Sequence, residues 1–169
     1  MADGTGPGWC PPRLDSEVTA SGLTLKLELY WRSLLRNRLM PARRDIDPAA
    51  MRRLLPNVFL LDLIGLPPRF RWRLAGTRIG DFERSEFTGL WLDETLRHPD
   101  DPFLLFCRLT VAERRPTCHA AFRRDPDGST RPLLRSLLPL SEDGTNVAML
   151  LGAVDYNPAE IMARQRGAA

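Results

Sequence analysis

Apolar residues recur at helical spacing in the first patterned segment of the chain, residues 23–39. The apolar stripe, spaced at i, i+3 and i+4, consists of Leu27, Tyr30, Trp31, Leu34 and Leu35. Polar residues such as Lys26 and Arg36 occupy the opposite side, so we predict an amphipathic helix that Pro41 ends. The leucines at positions 23, 25, 27 and 29 also alternate, which leaves the start of a strand open as an alternative.

A change from helical spacing to strict alternation predicts a β-hairpin next. Residues 58–64 are rich in strand-forming side chains, and the glycine and prolines of residues 65–68 form a turn. After the turn, three apolar residues alternate with three arginines: Phe70, Trp72 and Leu74 with Arg69, Arg71 and Arg73. One face of this strand is therefore core and the other faces water. Asp62 marks the water-facing side of the preceding strand. Its inner side then consists of Phe59, Leu61 and Leu63.

Two Asp-Pro pairs predict helix starts, because aspartate caps a helix and proline suits its first turn. The pair at 47–48 begins a brief helix that Pro56 ends, and the pair at 101–102 begins a longer one. The apolar stripe of the longer helix is Phe103, Phe106, Cys107, Thr110 and Val111. Residues 77–98, which precede the longer helix, are interrupted by glycines, so we predict short helical turns there that cover one face of the sheet.

Three apolar segments near the end of the chain are predicted to form strands. They are residues 117–123, 133–140 and 146–154. Asp-Gly pairs at 127–128 and 143–144 separate them, and such a pair is a strong hairpin signal, so we predict an antiparallel meander. In the first of these strands we predict that Cys118, Ala120 and Phe122 face inward. His119 would then face outward. The whole pattern predicts an α+β fold, with a five-stranded antiparallel sheet that helices cover on one face and an amphipathic helix at the N-terminus.

Length and composition suit one domain in a reducing compartment. The chain has 169 residues, 43% of them hydrophobic, and we predict the domain at residues 22–157. Residues 1–21 are predicted to form a flexible tail and residues 158–169 a C-terminal tail. We expect no membrane span, because the longest apolar run is too short. We also expect no secretory signal, because residues 1–12 have no basic region followed by an apolar stretch. Three cysteines at irregular spacing predict free thiols in the cytoplasm, without a disulfide framework or a zinc site.

Charge and motifs favour a binding module over an enzyme or a nucleic-acid-binding protein. The net charge of +3 comes from arginines spread over every element, whereas a nucleic-acid-binding domain gathers its cations on one face. We find no phosphate loop, metal cluster or catalytic set, so we assign no catalytic residue and no metal. The alternative is a small α+β enzyme of the cone-shaped isomerase or dehydratase type, which encloses an apolar pocket and usually needs an inward Asp/His pair.

Several short sequences carry a family resemblance through their order and spacing. They are Tyr30-Trp31, residues 41–48, Leu55-Pro56, residues 70–77, Thr88-Gly89, residues 137–140, Asp143-Gly144, and residues 150–152 with Tyr156. Together they resemble a bacterial PAS-domain family first catalogued as a domain of unknown function. The likeness covers residues 24–157, except that residues 134–136 read Leu-Arg-Ser where related sequences carry a Tyr-Glu-Arg type of segment. The resemblance implies the strand order 2-1-5-4-3 and an N-terminal helix that often serves in dimerisation.

The resemblance also implies that such a domain binds a small ligand or cofactor between sheet and helices, or mediates protein contacts. We therefore expect a cytoplasmic sensory or regulatory homodimer that acts on a signalling protein in trans. The residues predicted for the dimer helix are Leu27, Tyr30, Trp31 and Leu34. Those predicted to line an apolar ligand pocket are Phe59, Leu61, Phe70, Trp72, Leu74, Phe82, Trp91, Phe103, Phe106 and Phe122. Arg78 is expected at the pocket mouth. The same aromatic set can also pack as a solid core.

The sequence assigns no cofactor. Haem sensors of this class place a ligating histidine on the long helix before the third strand, whereas His98 precedes that helix and His119 follows it. Flavin photosensors of the class need a reactive cysteine on a short central helix, and residues 77–88 contain none. Cys107 lies on the longer helix and is interpreted as a small buried hydrophobe.

Overall fold

The computed structural model describes residues 22–96, 101–124 and 128–158. The predicted tail at 1–21, residues 159–169 and His98 lie outside the described residues. The helices are α1 (Gly22–Ser33), α2 (Thr77–Glu83), α3 (Leu92–Thr95) and α4 (Pro102–Glu113), with short 3-10 helices at Arg43–Asp45 and Leu55–Asn57. The strands are β1 (Val58–Ile64), β2 (Arg69–Ala75), β3 (Thr117–Arg124), β4 (Thr130–Leu140) and β5 (Met149–Asp155). Within the described residues, no helix has the length and apolar character needed to cross a membrane.

The five strands form one antiparallel sheet in the order β2-β1-β5-β4-β3. This confirms the predicted α+β fold and its strand order. The carboxylate of Asp143 shapes the turn between β4 and β5, because it accepts hydrogen bonds from the backbone amides of Thr145 and Asn146. These bonds, led by the Asn146 amide, hold the pKa of Asp143 well below its usual range.

The inner core lies between one face of the sheet and helices α2, α3 and α4. Its buried members are Phe59, Leu61, Phe70, Trp72, Ile79, Leu92, Phe103, Cys107, Leu133, Leu137, Leu150 and Val154. The side chains of Phe59, Leu61 and Leu63 lie on this side of β1, as the alternation predicts. On the opposite face of the sheet, Asp62 lies within 3.4 Å of the guanidinium groups of both Arg71 and Arg73.

The outer core covers the second face of the sheet, which the sequence left open to water. Its buried members are Leu27, Trp31, Met40, Ile46, Met51, Val58, Leu60, Leu138, Leu140, Leu151 and Ala153. Helix α1 packs on β4 and β5, and the indole N–H of Trp31 donates a hydrogen bond to the carbonyl oxygen of Pro139 at 2.9 Å. The sheet is therefore a middle layer, with apolar side chains buried on both of its faces.

Helix α1 is shorter than its apolar stripe predicts. It ends at Ser33, because Arg36 and Asn37 adopt the left-handed conformation, with φ of 42° and 66°. The chain then turns back to the sheet, where the backbone amide of Ser141 donates to the carbonyl oxygen of Pro41 at 2.9 Å. Pro41 therefore lies beside the sheet, well beyond the end of the helix, and does not end it.

Of the two helices predicted from Asp-Pro pairs, the structure contains the longer one, which begins at Pro102. It does not contain the brief helix predicted to begin at residues 47–48. At the start of α4, the Asp101 carboxylate accepts a hydrogen bond from the backbone amide of Phe103 at 2.8 Å. In the earlier segment the Asp47 carboxylate accepts from the Ala49 amide at 2.9 Å, but successive turns follow in place of a helix. Pro56 lies inside the second 3-10 helix and ends no α-helix.

A register shift in the β1–β2 hairpin displaces one predicted core residue. Trp72 pairs with Leu61, but Leu74 pairs with Leu60, so Arg73 is an extra residue on β2. Beyond this bulge the two faces of β2 exchange. Leu74 consequently points away from the inner core and is 42% exposed, and its prediction as a pocket residue is wrong. Ala75 packs against the inner core in its place.

Candidate functional site

Aromatic rings from three parts of the chain meet in the inner core. The ring centroids of Phe59 and Trp72 lie 5.5 Å apart, those of Phe59 and Phe103 5.6 Å, and those of Trp72 and Phe103 6.0 Å. Phe87 stacks on Trp72 from outside at 4.9 Å. The indole N–H of Trp72 donates to the Thr95 hydroxyl at 3.0 Å, which satisfies its one polar atom.

The Phe59 ring lies directly on the backbone of β5. A Cβ atom placed on Gly152, its partner in the register, would overlap this ring. Glycine at this position therefore lets the ring sit flat against the sheet at the centre of the inner core. Any larger residue there would push the ring toward α4.

The structure brings together six of the ten predicted pocket residues. Phe59, Leu61, Phe70, Trp72, Phe103 and Phe106 all belong to the inner core or pack against it. Phe82 is half-buried at its edge, where it stacks on Tyr156 with a centroid distance of 4.0 Å. Whether this cluster binds a ligand stays a prediction.

Trp91 is not part of the inner core. Its ring lies at the edge of the sheet, with the guanidinium carbon of Arg69 4.3 Å from the ring centroid. Arg69 also forms ion pairs with Asp93 and Glu94, at 2.9 and 3.0 Å. The prediction of Trp91 as a pocket residue is therefore wrong, because the cations of β2 hold it outside the core.

The predicted orientation of β3 is reversed. Pairing with β4 places Ala121 opposite Leu133, which belongs to the inner core, so the odd-numbered residues of β3 face inward. Phe122 lies on the other face of β3, as Cys118 does, so its prediction as a pocket residue is wrong. Burial raises the pKa of the Cys118 thiol to about 12, and the Thr24 side chain hydrogen-bonds to it.

His119 is consequently a core residue and not the outward-facing residue that the alternation predicts. It is 1% exposed, and its ring stacks on Phe106 with a centroid distance of 4.2 Å and an interplanar angle of 7°. Neither ring nitrogen has a hydrogen-bond partner. The Asp/His pair that the enzyme alternative requires is therefore not formed by His119. Burial, with the nearby cation of Arg135 second, holds the pKa of His119 well below 6.5.

Arg135 is the residue that sequence reasoning missed. It lies directly opposite His119 in the β3–β4 register, and its guanidinium carbon is 4.4 Å from the centroid of the Phe103 ring. The side chain is half-buried, and among the described residues we find no carboxylate that pairs with it. One signal was available, since Arg135 is a single cation between the apolar pairs 133–134 and 137–138.

Arg78, predicted at the pocket mouth, and Cys107, interpreted as a buried hydrophobe, add little to this cluster. Arg78 is exposed in the first turn of α2. Cys107 is buried beside the aromatic rings, and burial raises the pKa of its thiol far above 9.0, so the thiol stays protonated. Within the described residues, no three metal-ligating side chains come together.

The predicted dimer helix is mostly committed to the core of its own chain. Leu27 and Trp31 are 0% and 2% exposed, so they cannot form an exposed dimer surface, and that prediction is wrong for both. Tyr30 accepts a hydrogen bond from the Asp47 backbone amide through its hydroxyl, at 2.7 Å, and Leu34 is half-buried. The leucines exposed on α1 are Leu25 and Leu29, at 40% and 56%.

Comparison with known proteins agrees with this geometry. A family model described as a PAS domain matches residues 20–155, so this chain belongs to the PAS-domain family. No curated protein matches the sequence.

Several solved structures with a similar fold are described as light-oxygen-voltage domains or receptors. One, reported for a flavin analogue in a light-oxygen-voltage domain, has a TM-score of 0.51 at 16% identity and covers 72% of this chain and 94% of its own. The dark structure of the blue-light photoreceptor Aureochrome1 LOV has a TM-score of 0.50 at 15% identity, covering 72% and 92%. An RNA-binding light-oxygen-voltage receptor has a TM-score of 0.52 at 13% identity, covering 94% and 41%. At these identities the likeness shows the fold alone.

Proposed function

We propose that this chain is a sensory module that binds a small ligand in the inner core and responds through contact with a signalling protein in trans. The observation that carries the proposal is His119, a core side chain with two unpartnered ring nitrogens. Its neighbour Arg135 has no carboxylate partner among the residues that the structure describes. A core that serves packing alone leaves few polar atoms unsatisfied, because each costs about 1–3 kcal/mol. A ligand that forms hydrogen bonds with these nitrogens would explain why they are buried without a partner in the protein.

The layered fold offers a route from the inner core to the surface. Strands β4 and β5 carry both cores, with Leu137 and Leu150 on the inner side and Leu138 and Leu151 on the outer. A ligand that favours one arrangement of these strands would shift the position of α1, which packs on them. The size of the shift is limited by the difference in ligand affinity between the two arrangements.

We further propose that two copies associate through the exposed side of α1. Leu25 and Leu29 lie one helical turn apart on this side, and both are exposed. A dimer placed there would sense movement of the helix on the outer core directly.

Native mass spectrometry of the protein purified from its own host tests ligand binding. The proposal predicts that the native mass exceeds the denatured mass by that of a small molecule. Equal masses under the two conditions would contradict it and would favour a scaffold with a filled core.

A further inference from the structure

We propose that the ligand of the inner core is a small organic acid, whose carboxylate binds Arg135 and His119 while its apolar part lies among the aromatic rings. This inference rests on the proposed function and adds the chemistry of the ligand.

The two polar residues converge because they are partners in the sheet. His119 and Arg135 are paired across β3 and β4, and directly opposed residues of antiparallel strands have Cα atoms only about 4.5–5.5 Å apart. Both side chains point to the inner face, since His119 stacks on Phe106 and Arg135 lies over Phe103. Their side chains therefore lie side by side on the face of the sheet that α4 covers.

The charge at this place is positive, and no described residue neutralises it. A guanidinium stays protonated in proteins, and among the described residues no carboxylate forms an ion pair with Arg135. The Phe103 ring partly stabilises the cation through its face, and among the described residues we find no hydrogen-bond acceptor for the N–H donors of the guanidinium. An anion would accept those donors.

His119 supplies a matching neutral donor. A neutral imidazole carries one N–H donor and one acceptor, and neither is used in this structure. Stacking on Phe106 fixes the plane of the ring, so a hydrogen bond donated by its N–H must lie close to that plane. One guanidinium and one N–H suit a singly charged planar carboxylate. A phosphate dianion would need more donors than these surroundings of aromatic rings provide.

The acid would enter beside the half-buried side chains of the site. Arg135 and Phe106 are each half-buried, whereas His119 and Phe103 are buried. The polar pair thus lies between the surface and the rings of Phe59 and Trp72. An acid that enters here would reach Arg135 first, and its apolar part would lie deeper.

The experiment compares octanoate with 1-octanol as probes of the full chain. Calorimetric titration should show binding of octanoate that is stronger than binding of octanol. Arg135→Gln should weaken octanoate binding about tenfold or more, because a hydrogen-bonded charge pair is lost, and should leave octanol unchanged. Arg131→Gln is the matched control, since Arg131 is exposed on the same strand and lies four residues away. It should bind octanoate as the wild type does.

A second readout keeps the test decisive if Arg135→Gln does not fold. In the wild type, octanoate should shift the imidazole nitrogen resonances of His119, and octanol should shift them less. Equal effects of the two probes, equal losses in both arginine variants, or no binding of octanoate would overturn the acid proposal. A neutral molecule found by native mass spectrometry would overturn it too, while leaving ligand sensing intact.

Discussion

At the scale of the residue, His119 carries the largest local conflict among the residues that the structure describes. Two unsatisfied ring nitrogens in an apolar core reduce stability, because their bonds to water are lost without replacement. Such a conflict is tolerated where function requires it, and these sites are where a core departs from simple packing rules.

Replacing this ring with an apolar one should therefore stabilise the empty protein. His119→Phe keeps a flat ring stacked on Phe106 and removes both unsatisfied atoms, so we expect the unfolding free energy to rise by about 1–2 kcal/mol. Urea denaturation measures it. His119→Asn, which keeps polar atoms in the core, should give no gain. A loss of stability in His119→Phe would mean that the ring nitrogens have partners in solution.

The same residue predicts how stability depends on pH. Because the folded-state pKa of His119 lies below its unfolded value near 6.5, the unfolded state binds more protons as the pH falls. Stability is thus fully present above about pH 7 and is lost as the pH falls below about 6.5 toward the folded pKa. Stability should therefore fall between pH 7.5 and 5.5 through this group.

Comparing wild type with His119→Phe isolates this contribution. The variant should lose less stability than the wild type over the same range, measured by urea denaturation at each pH. Equal losses in the two proteins would mean that His119 does not titrate abnormally.

At the scale of the element, α1 is a structural layer. Trp31 is 2% exposed and bonds to Pro139, so Trp31→Ala should lower the unfolding free energy by about 3–5 kcal/mol. Leu29→Ala on the exposed side of the helix should change it by less than about 0.5 kcal/mol. Thermal or urea unfolding measures both. Similar effects of the two variants would mean that α1 does not pack on the sheet.

The opposite side of α1 is where the dimer proposal is tested. The double change Leu25→Glu and Leu29→Glu should halve the mass measured by light scattering, because charges would face each other across the proposed contact. The unfolding midpoint of the monomer should stay close to that of Leu29→Ala. A mass unchanged from the wild type would remove the dimer from this side of the helix.

Sequence patterns predicted elements well and orientations less well. The arginines of β2 mark its outer face unambiguously, and Arg71 and Arg73 do face Asp62. In β3, however, apolar residues occupy both alternating sets, with Ala121 on one and Phe122 on the other. Pairing with Leu133 decides between them, and no local pattern contains that information. The bulge that exposes Leu74 is likewise set by pairing with β1.

At the scale of the whole molecule, the order of elements was enough to predict the fold, because short turns and sequential pairing leave few topologies. The candidate site was less predictable. It brings together residues from α4, β3 and β4, and Arg135 becomes notable only when it faces His119. The sequence also left one face of the sheet uncovered, since a pattern shows that α1 has an apolar side but not what it covers.

A crystal structure of the chain purified from its own host tests the central claim most directly. We predict electron density for a small molecule beside the Phe59 and Phe103 rings, with an acidic group within hydrogen-bond distance of Arg135 and His119. Rings in mutual contact with no added density, and both nitrogens of His119 still without partners, would contradict the account.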